Sequence, residues 1–278
     1  MVLFLVWSIV KRLFGAAFIE KPKVFGVVHH TYEKRNAEGG EAILSTKHVS
    51  SFLKLLEKER VHKLGLEGLS ERRLPKKSFA SVKERVEYLF PSGDERFMQA
   101  LAAQAKRKRI SAVSLEEEGL GNPLLNLHLG VVVARMLCQE GEVIMSPHSA
   151  LGFLREFYDE LSNNAGSAEG RIYAQKARLL EMILREFPNP TLNDLAMLDS
   201  ALTFSRSLSM YQKAVAEKAS HIVLGAAHAE DLALARGVKP VFVNYSSDLQ
   251  KARERRACYK QYKPLLKRIE EAARLTRN

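Results

Sequence analysis

Two stretches far apart in the chain share one form: a short apolar run, a glycine, two small or apolar residues, then histidine. The first is Lys23-Val24-Phe25-Gly26-Val27-Val28-His29, continuing into His30, and the second is His221-Ile222-Val223-Leu224-Gly225-Ala226-Ala227-His228. Each reads as a short buried strand that ends where a glycine lets the backbone turn or approach a neighbour closely. In open α/β sheets ligands collect at the carboxyl ends of strands. Two such strands lying side by side would bring both imidazoles to one crevice. A single G-x-x-H says little, whereas a pair that closes two apolar strands restricts both the fold and the place of the chemistry.

The text between them supports an α/β architecture. After the first strand comes a polar loop, Thr31 to Gly40, then a helix with Ser50 or Ser51 as N-cap and Phe52, Leu53, Leu55 and Leu56 on its buried face. A second strand, Lys63-Leu64-Gly65-Leu66-Glu67, completes a strand–helix–strand run, which predicts a right-handed crossover and a parallel pair. Ser78 to Arg109 reads as two helices broken at Pro91-Ser92-Gly93-Asp94 and closed by the basic run Lys106 to Arg109, which suits a helix C-terminus. Ile110 to Leu115 is a third strand, Asn122-Pro123 opens an apolar helix to Gln139, and Val143 to Met145 reads as a short strand. Ser149 to Ala219 is helical, punctuated at Asn163 to Gly166 and at Pro188-Asn189-Pro190. A short helix over Glu230 to Ala235, an edge strand Val241-Phe242-Val243 and a charged terminal helix follow the second G-x-x-H.

The net charge of +11 would suggest nucleic acid if it were spread evenly, but Lys251 to Asn278 holds ten basic and three acidic side chains, leaving +4 for the rest. Nucleic acid is therefore disfavoured as a partner of the core. The tail instead reads either as an attachment device, with Lys251, Arg255, Arg256, Tyr259 and Tyr262 meeting nucleic acid, an anionic membrane or an acidic partner, or as a solvated helix packed through Leu265, Leu266, Ile269 and Ala272-Ala273. At the other end, residues 2–10 are apolar apart from Ser8, and Lys11-Arg12 interrupts the run short of the ~20 residues a span needs. No basic stretch precedes it, which argues against a secretory signal. This segment is either a buried element or an interfacial helix with Phe4, Trp7 and Phe14 on its apolar side. Two cysteines, Cys138 and Cys258, make no disulfide framework and fit a reducing, cytoplasmic setting, with membrane association left open. The organisation expected is an apolar segment over 1–20, one α/β domain over 21–246 and a basic helix over 247–278.

Polar side chains gather where strands run out: His29 and His30 after the first, Glu67 after the second, Glu116 and Glu117 after the third, and His228 after the late strand. Imidazole and carboxylate together suit a divalent ion such as Zn, Mn or Co, which would activate water beside a spare carboxylate base. His29, Glu67 and His228 form the expected ligand set, with Glu116 or Glu117 completing the shell. Alternation along an extended segment sends His29 and His30 to opposite faces, and the glycine spacing favours His29. The competing reading of any one of these residues is a strand-end polar group meeting solvent. His48, His62, His128, His148 and His221 lack a partner pattern. No G-x-S-x-G, Walker or dinucleotide fingerprint is present.

Gly26-x-x-His29, Leu66-Glu67 and Gly225-Ala226-Ala227-His228 resemble the TraB pheromone-shutdown family and the Tiki metalloproteases, of the superfamily that includes erythromycin esterases and the ChaN haem-binding proteins. Arg206-Ser207-Leu208-Ser209-Met210 adds to the likeness, since the family carries an Arg with Met four residues later on the helix before its second G-x-x-H strand. Val27 stands where a small hydroxyl residue is usual, and Ser207 where the family prefers an acid. The resemblance implies an α/β core with a mixed, mostly parallel sheet and a helical insertion, and a site formed by His29, Glu67, Arg206 and His228. Arg206 would then serve as an oxyanion or carboxylate clamp. The implied activity is metal-dependent hydrolysis of a peptide or ester bond. The alternative it leaves is a non-catalytic binding or regulatory protein that holds haem or a peptide in the same crevice.

Overall fold

The computed structural model describes residues 21–27, 48–67, 96–116, 119–139, 145–164, 166–243, 245 and 247–275. Five strands, β1 (Lys23–Val27), β2 (Lys63–Leu66), β3 (Ser111–Ser114), β4 (His221–Gly225) and β5 (Val241–Val243), form one sheet in the order β3-β2-β4-β1-β5. Every pairing among them is parallel, so the sheet is uniform in direction over the described residues, not mixed. The helices are α1 (Val49–Lys58), α2 (Arg96–Arg107), α3 (Pro123–Gln139), α4 (Pro147–Asn164), α5 (Ser167–Glu186), α6 (Leu192–Ala216), α7 (Ala226–Arg236) and α8 (Leu249–Leu275).

Strand alternation splits the core in two. Phe25, Val27, Leu64, Leu66 and Val223 face α1 and α2, packing with Phe52, Leu56, Phe97 and Leu101. Val24, Ile222 and Leu224 point the other way, toward Met210 and Ala214 of α6 and Ala229 and Leu232 of α7. A separate, larger core lies among α3, α4, α5, the first half of α6 and α8, the helical insertion with the terminal helix added to it. Gly26 allows the tight fit of α7 on β1: a Cβ there would sit 2.6 Å from the Phe242 ring and 2.8 Å from the Ala229 methyl.

Three expectations are revised by this arrangement. β1 and β2 are parallel but not neighbours, because β4 slots between them. The helix after β4 begins at Ala226, four residues earlier than expected, since Gly225 serves directly as its N-cap. Ser50 and Ser51 lie inside the first turn of α1, whose N-cap is His48. The tail, too, is integral to the domain, for Tyr262, Leu265, Leu266 and Ile269 of α8 are buried in the helical core. Residues 1–20, the loop over 31–40, the expected helix before Pro91 and residues 143–144 lie outside the described residues. Among those described, no helix is long and apolar enough to cross a membrane.

Candidate functional site

Register brings the strand exits to one edge. Val27 lies beside Gly225, Leu66 beside Val223 and Leu66 beside Ser114, so the residues that follow emerge together. Glu67 prolongs the ladder by one bond, its N–H donating to the Val223 carbonyl at 3.2 Å, and its Oε2 accepts the Gly225 N–H at 2.6 Å. After β3 the Ser114 hydroxyl donates to the Glu116 carbonyl at 2.5 Å and turns the chain. His228 sits on the first turn of α7 instead of leaving β4 in extended form.

The fourth member comes from α6. A capping box starts this helix: Thr191 Oγ1 accepts from the Asp194 N–H, and the Asp194 carboxylate accepts from the Thr191 N–H. Its first half packs in the helical core through Leu195, Leu198 and Leu202, and its second half packs on the sheet through Met210 and Ala214. Asp199, Thr203, Arg206 and Ser207 fall on one face at helical spacing. They form a polar stripe along the seam between the two cores.

That stripe joins everything at the strand ends. Arg206 donates from Nε to Glu116 Oε1 at 2.8 Å and from an Nη to Glu116 Oε2 at 2.6 Å, a two-pronged grip. The same Nη lies 3.7 Å from Glu67 Oε1, which is in turn 3.3 Å from His228 Nε2. Glu67, Glu116 and His228 are all buried, at 5%, 6% and 6% exposure. Burial opposes the Arg206 charge, but the carboxylates of Glu116 and Glu67 outweigh it and hold the guanidinium pKa above its usual range.

On one flank Arg206 meets His128. Its second Nη lies 2.6 Å from His128 Nδ1, and because a guanidinium only donates, that nitrogen accepts and Nε2 carries the proton. His128 Nε2–H donates to Asp199 Oδ1 at 2.7 Å, and Arg135 holds the other Asp199 oxygen. Burial, with the Arg206 charge alongside, pushes the His128 pKa down, as this neutral tautomer requires. Burial alone would raise Asp199, but its bonds to His128 and Arg135 bring it below the usual carboxylate range.

On the other flank the contact passes through Ser207. Its hydroxyl lies 2.8 Å from His228 Nδ1, 2.8 Å from Asp231 Oδ2 and 2.9 Å from the Thr203 carbonyl. Arg255 of α8 then holds Asp231 Oδ1 at 2.7 Å, Glu230 Oε2 at 3.1 Å and the Ala227 carbonyl at 3.0 Å. Glu230 Oε1 accepts from the Tyr245 hydroxyl and the Asp248 N–H. Burial pushes the Asp231 pKa up, with Arg255 pulling against it. Serine, histidine and aspartate here are not a nucleophilic triad, because the serine stands between the other two and is fully buried.

The sequence-predicted residues thus divide clearly. Glu67, Arg206, His228 and Glu116 converge, while His29, His30 and Glu117 lie outside the described residues. Glu116 is not a spare ligand but the partner of Arg206, with both oxygens engaged. Arg206 in turn spends three donors inside the protein, which makes it a positioning residue more than a free clamp. Sequence reasoning missed His128, Asp199, Asp231 and Arg255. His128 and Arg135 stand seven residues apart on a mostly apolar helix, and Glu230-Asp231 follows the second G-x-x-H after one alanine; both were available signals.

His228 and Glu67 are of residue types that can ligate a divalent ion. His228 Nε2 lies 3.3 Å from Glu67 Oε1. No group of three or more candidate ligands occurs among the described residues. The chain matches no family model, no curated protein and no solved structure.

Proposed function

We propose that the chain is a metal-dependent hydrolase of the TraB/Tiki type acting on a peptide or ester bond. The observation that carries this reading is the pair His228 Nε2 and Glu67 Oε1, facing each other at 3.3 Å at the carboxyl edge of the sheet, with His228 Nδ1 engaged behind by Ser207, itself bonded to Asp231. His228 and Glu67, with His29 or His30 from the segment that follows β1, would hold the ion, Mn, Co or Zn. A divalent ion bound there supplies Lewis acidity and an activated water.

The chain's own residues do the rest. Gly225 N–H fixes Glu67 Oε2, and this turns Oε1 toward His228 Nε2. Arg206 holds Glu116 in place and keeps positive charge beside Glu67. Free Cys138 and Cys258 support a cytoplasmic placement for this activity.

Metal analysis of the purified protein, with a turnover screen on ester and peptide substrates, tests the reading. His228→Ala and Glu67→Gln should each lower turnover by on the order of a hundredfold or more. Absence of divalent metal under every supplementation, together with wild-type turnover in His228→Ala, would sink it. A second reading, a non-catalytic protein holding haem or a peptide, is favoured by the mutual satisfaction of Arg206, Glu116 and His128. Tight ligand binding without turnover of any substrate in the screen would establish it instead.

A further inference from the structure

We propose that the outer face of α8 docks the protein on an anionic lipid surface. Arg253, Arg256, Lys260, Lys263, Lys267 and Arg274 recur at spacings of three, four and seven, and all six are exposed. At 1.5 Å per residue the row runs about 32 Å along one side of the helix. Lys267 pairs with Glu271 at 3.5 Å, whereas Arg253, Arg256, Lys260, Lys263 and Arg274 make no ion pair with a described residue. Basic groups at the other described positions of α8 are already committed: Lys251 pairs with Asp248, Arg255 is buried on Asp231 and Glu230, and Arg268 pairs with Glu186.

The packing of α8 selects the partner. Its inner face is buried through Tyr262, Leu265, Leu266 and Ile269, so the helix lies against the domain and offers one outward row of charge. A helix that reads the major groove must project into it. Single-stranded nucleic acid is held by stacking on exposed aromatics. Here Tyr262 is 6% exposed, and Tyr259 packs on the Phe204 ring at 5.3 Å between centroids. A plane of anionic headgroups asks only for cations along one face, each improving partition by about fivefold. Residues 2–19, apolar around Lys11-Arg12 with Phe4, Trp7 and Phe14, have the composition of an interfacial segment but lie outside the described residues; the docking face stands without them.

Co-sedimentation of the full chain with phosphatidylcholine vesicles, with and without phosphatidylserine, tests this. Retention is expected only on the anionic vesicles and should fall steeply as salt rises. R253Q/R256Q/K260Q/K263Q should weaken it by about 600-fold with an unchanged melting temperature, and the milder K260Q/K263Q by about 25-fold. A chain lacking residues 1–20 should keep salt-sensitive retention. Equal retention on neutral vesicles, wild-type retention by both variants, complete loss on removing residues 1–20, or binding to duplex DNA or RNA without vesicle retention would each overturn the proposal.

Discussion

Arg206 and Arg255 are one device in two settings. Their side chains are 14% and 13% exposed, and each guanidinium grips carboxylates from two positions in the chain, Glu116 and Glu67 in one case, Asp231 and Glu230 in the other. Arg206 stands at the carboxyl edge of the sheet and shares Glu67 with a histidine. Arg255 arrives from the last helix and pins α8 to α7. Ser207 joins the two clusters through His228 and Asp231. A buried ion pair is therefore a poor marker of chemistry on its own, since both clusters have one; the place in the topology separates the candidate site from the structural joint.

The largest effect should come from removing either guanidinium. Arg255→Ala and Arg206→Ala each leave buried carboxylates uncompensated and should lower unfolding free energy by about 3–5 kcal/mol in urea titrations. Turnover should vanish in Arg206→Ala and persist in Arg255→Ala wherever that variant is folded. Equal loss of turnover in both would erase the distinction between site and joint.

Ser207→Ala cuts the link between the clusters. With His228 Nδ1 and Asp231 Oδ2 stripped of a fully buried partner, the expected cost is about 1–3 kcal/mol. A cost below about 0.5 kcal/mol would mean that the clusters are energetically separate.

The Arg206 flank should show its own pH dependence. His128 has its pKa lowered from 6.5 by burial and Arg206, so the folded state resists a proton that the unfolded chain accepts. Its contribution is complete above pH 6.5 and is lost as pH falls from there toward the folded value, with a slope of up to about 1.4 kcal/mol per pH unit. Asp199, also lowered, acts by the same sign only near and below its reference of 3.8, which keeps the two windows apart. Denaturation midpoints of His128→Gln should decline less between pH 7 and 5.5 than those of the wild type, the remainder coming from His221, which burial also lowers; a parallel decline would assign the slope to another group.

Smallest of all, Glu271→Gln removes an exposed pair with Lys267 and should change stability by no more than about 0.5 kcal/mol, the reference against which the buried arginines are judged.

Local pattern made most of the scaffold readable. The strands around Gly26 and Gly225, the Asn122-Pro123 helix start and the breaks at Asn163 and Pro188 are written in glycine, proline and periodicity. The side-by-side placement of β1 and β4, inferred from twin motifs, is also what the sheet has. The start of α7 was not legible, because Gly225 and the alanines after it suit strand or helix equally. Nor was the insertion of β4 between β1 and β2, which depends on packing of residues far apart in sequence. Glu67 and His228 stood out through their strand-end position. His128 and Arg255 did not, since a buried polar residue on a helix is known only from what it meets across the core, and a basic residue in a basic tail looks like its neighbours.

The strand order carries a consequence for how the protein is made. β4, the middle strand, follows the whole helical insertion in sequence, so β1 and β2 have no shared neighbour until residues 221–225 have been synthesised. An emerging chain must carry two unpaired strand edges through most of translation, the situation in which non-native pairing and aggregation compete with folding. The arrival of β4 closes the sheet and presents the Gly225 N–H to Glu67 in the same event. Chains interrupted before that point would hold every upstream site residue and no site, so truncated products would be inert toward substrate and prone to self-association.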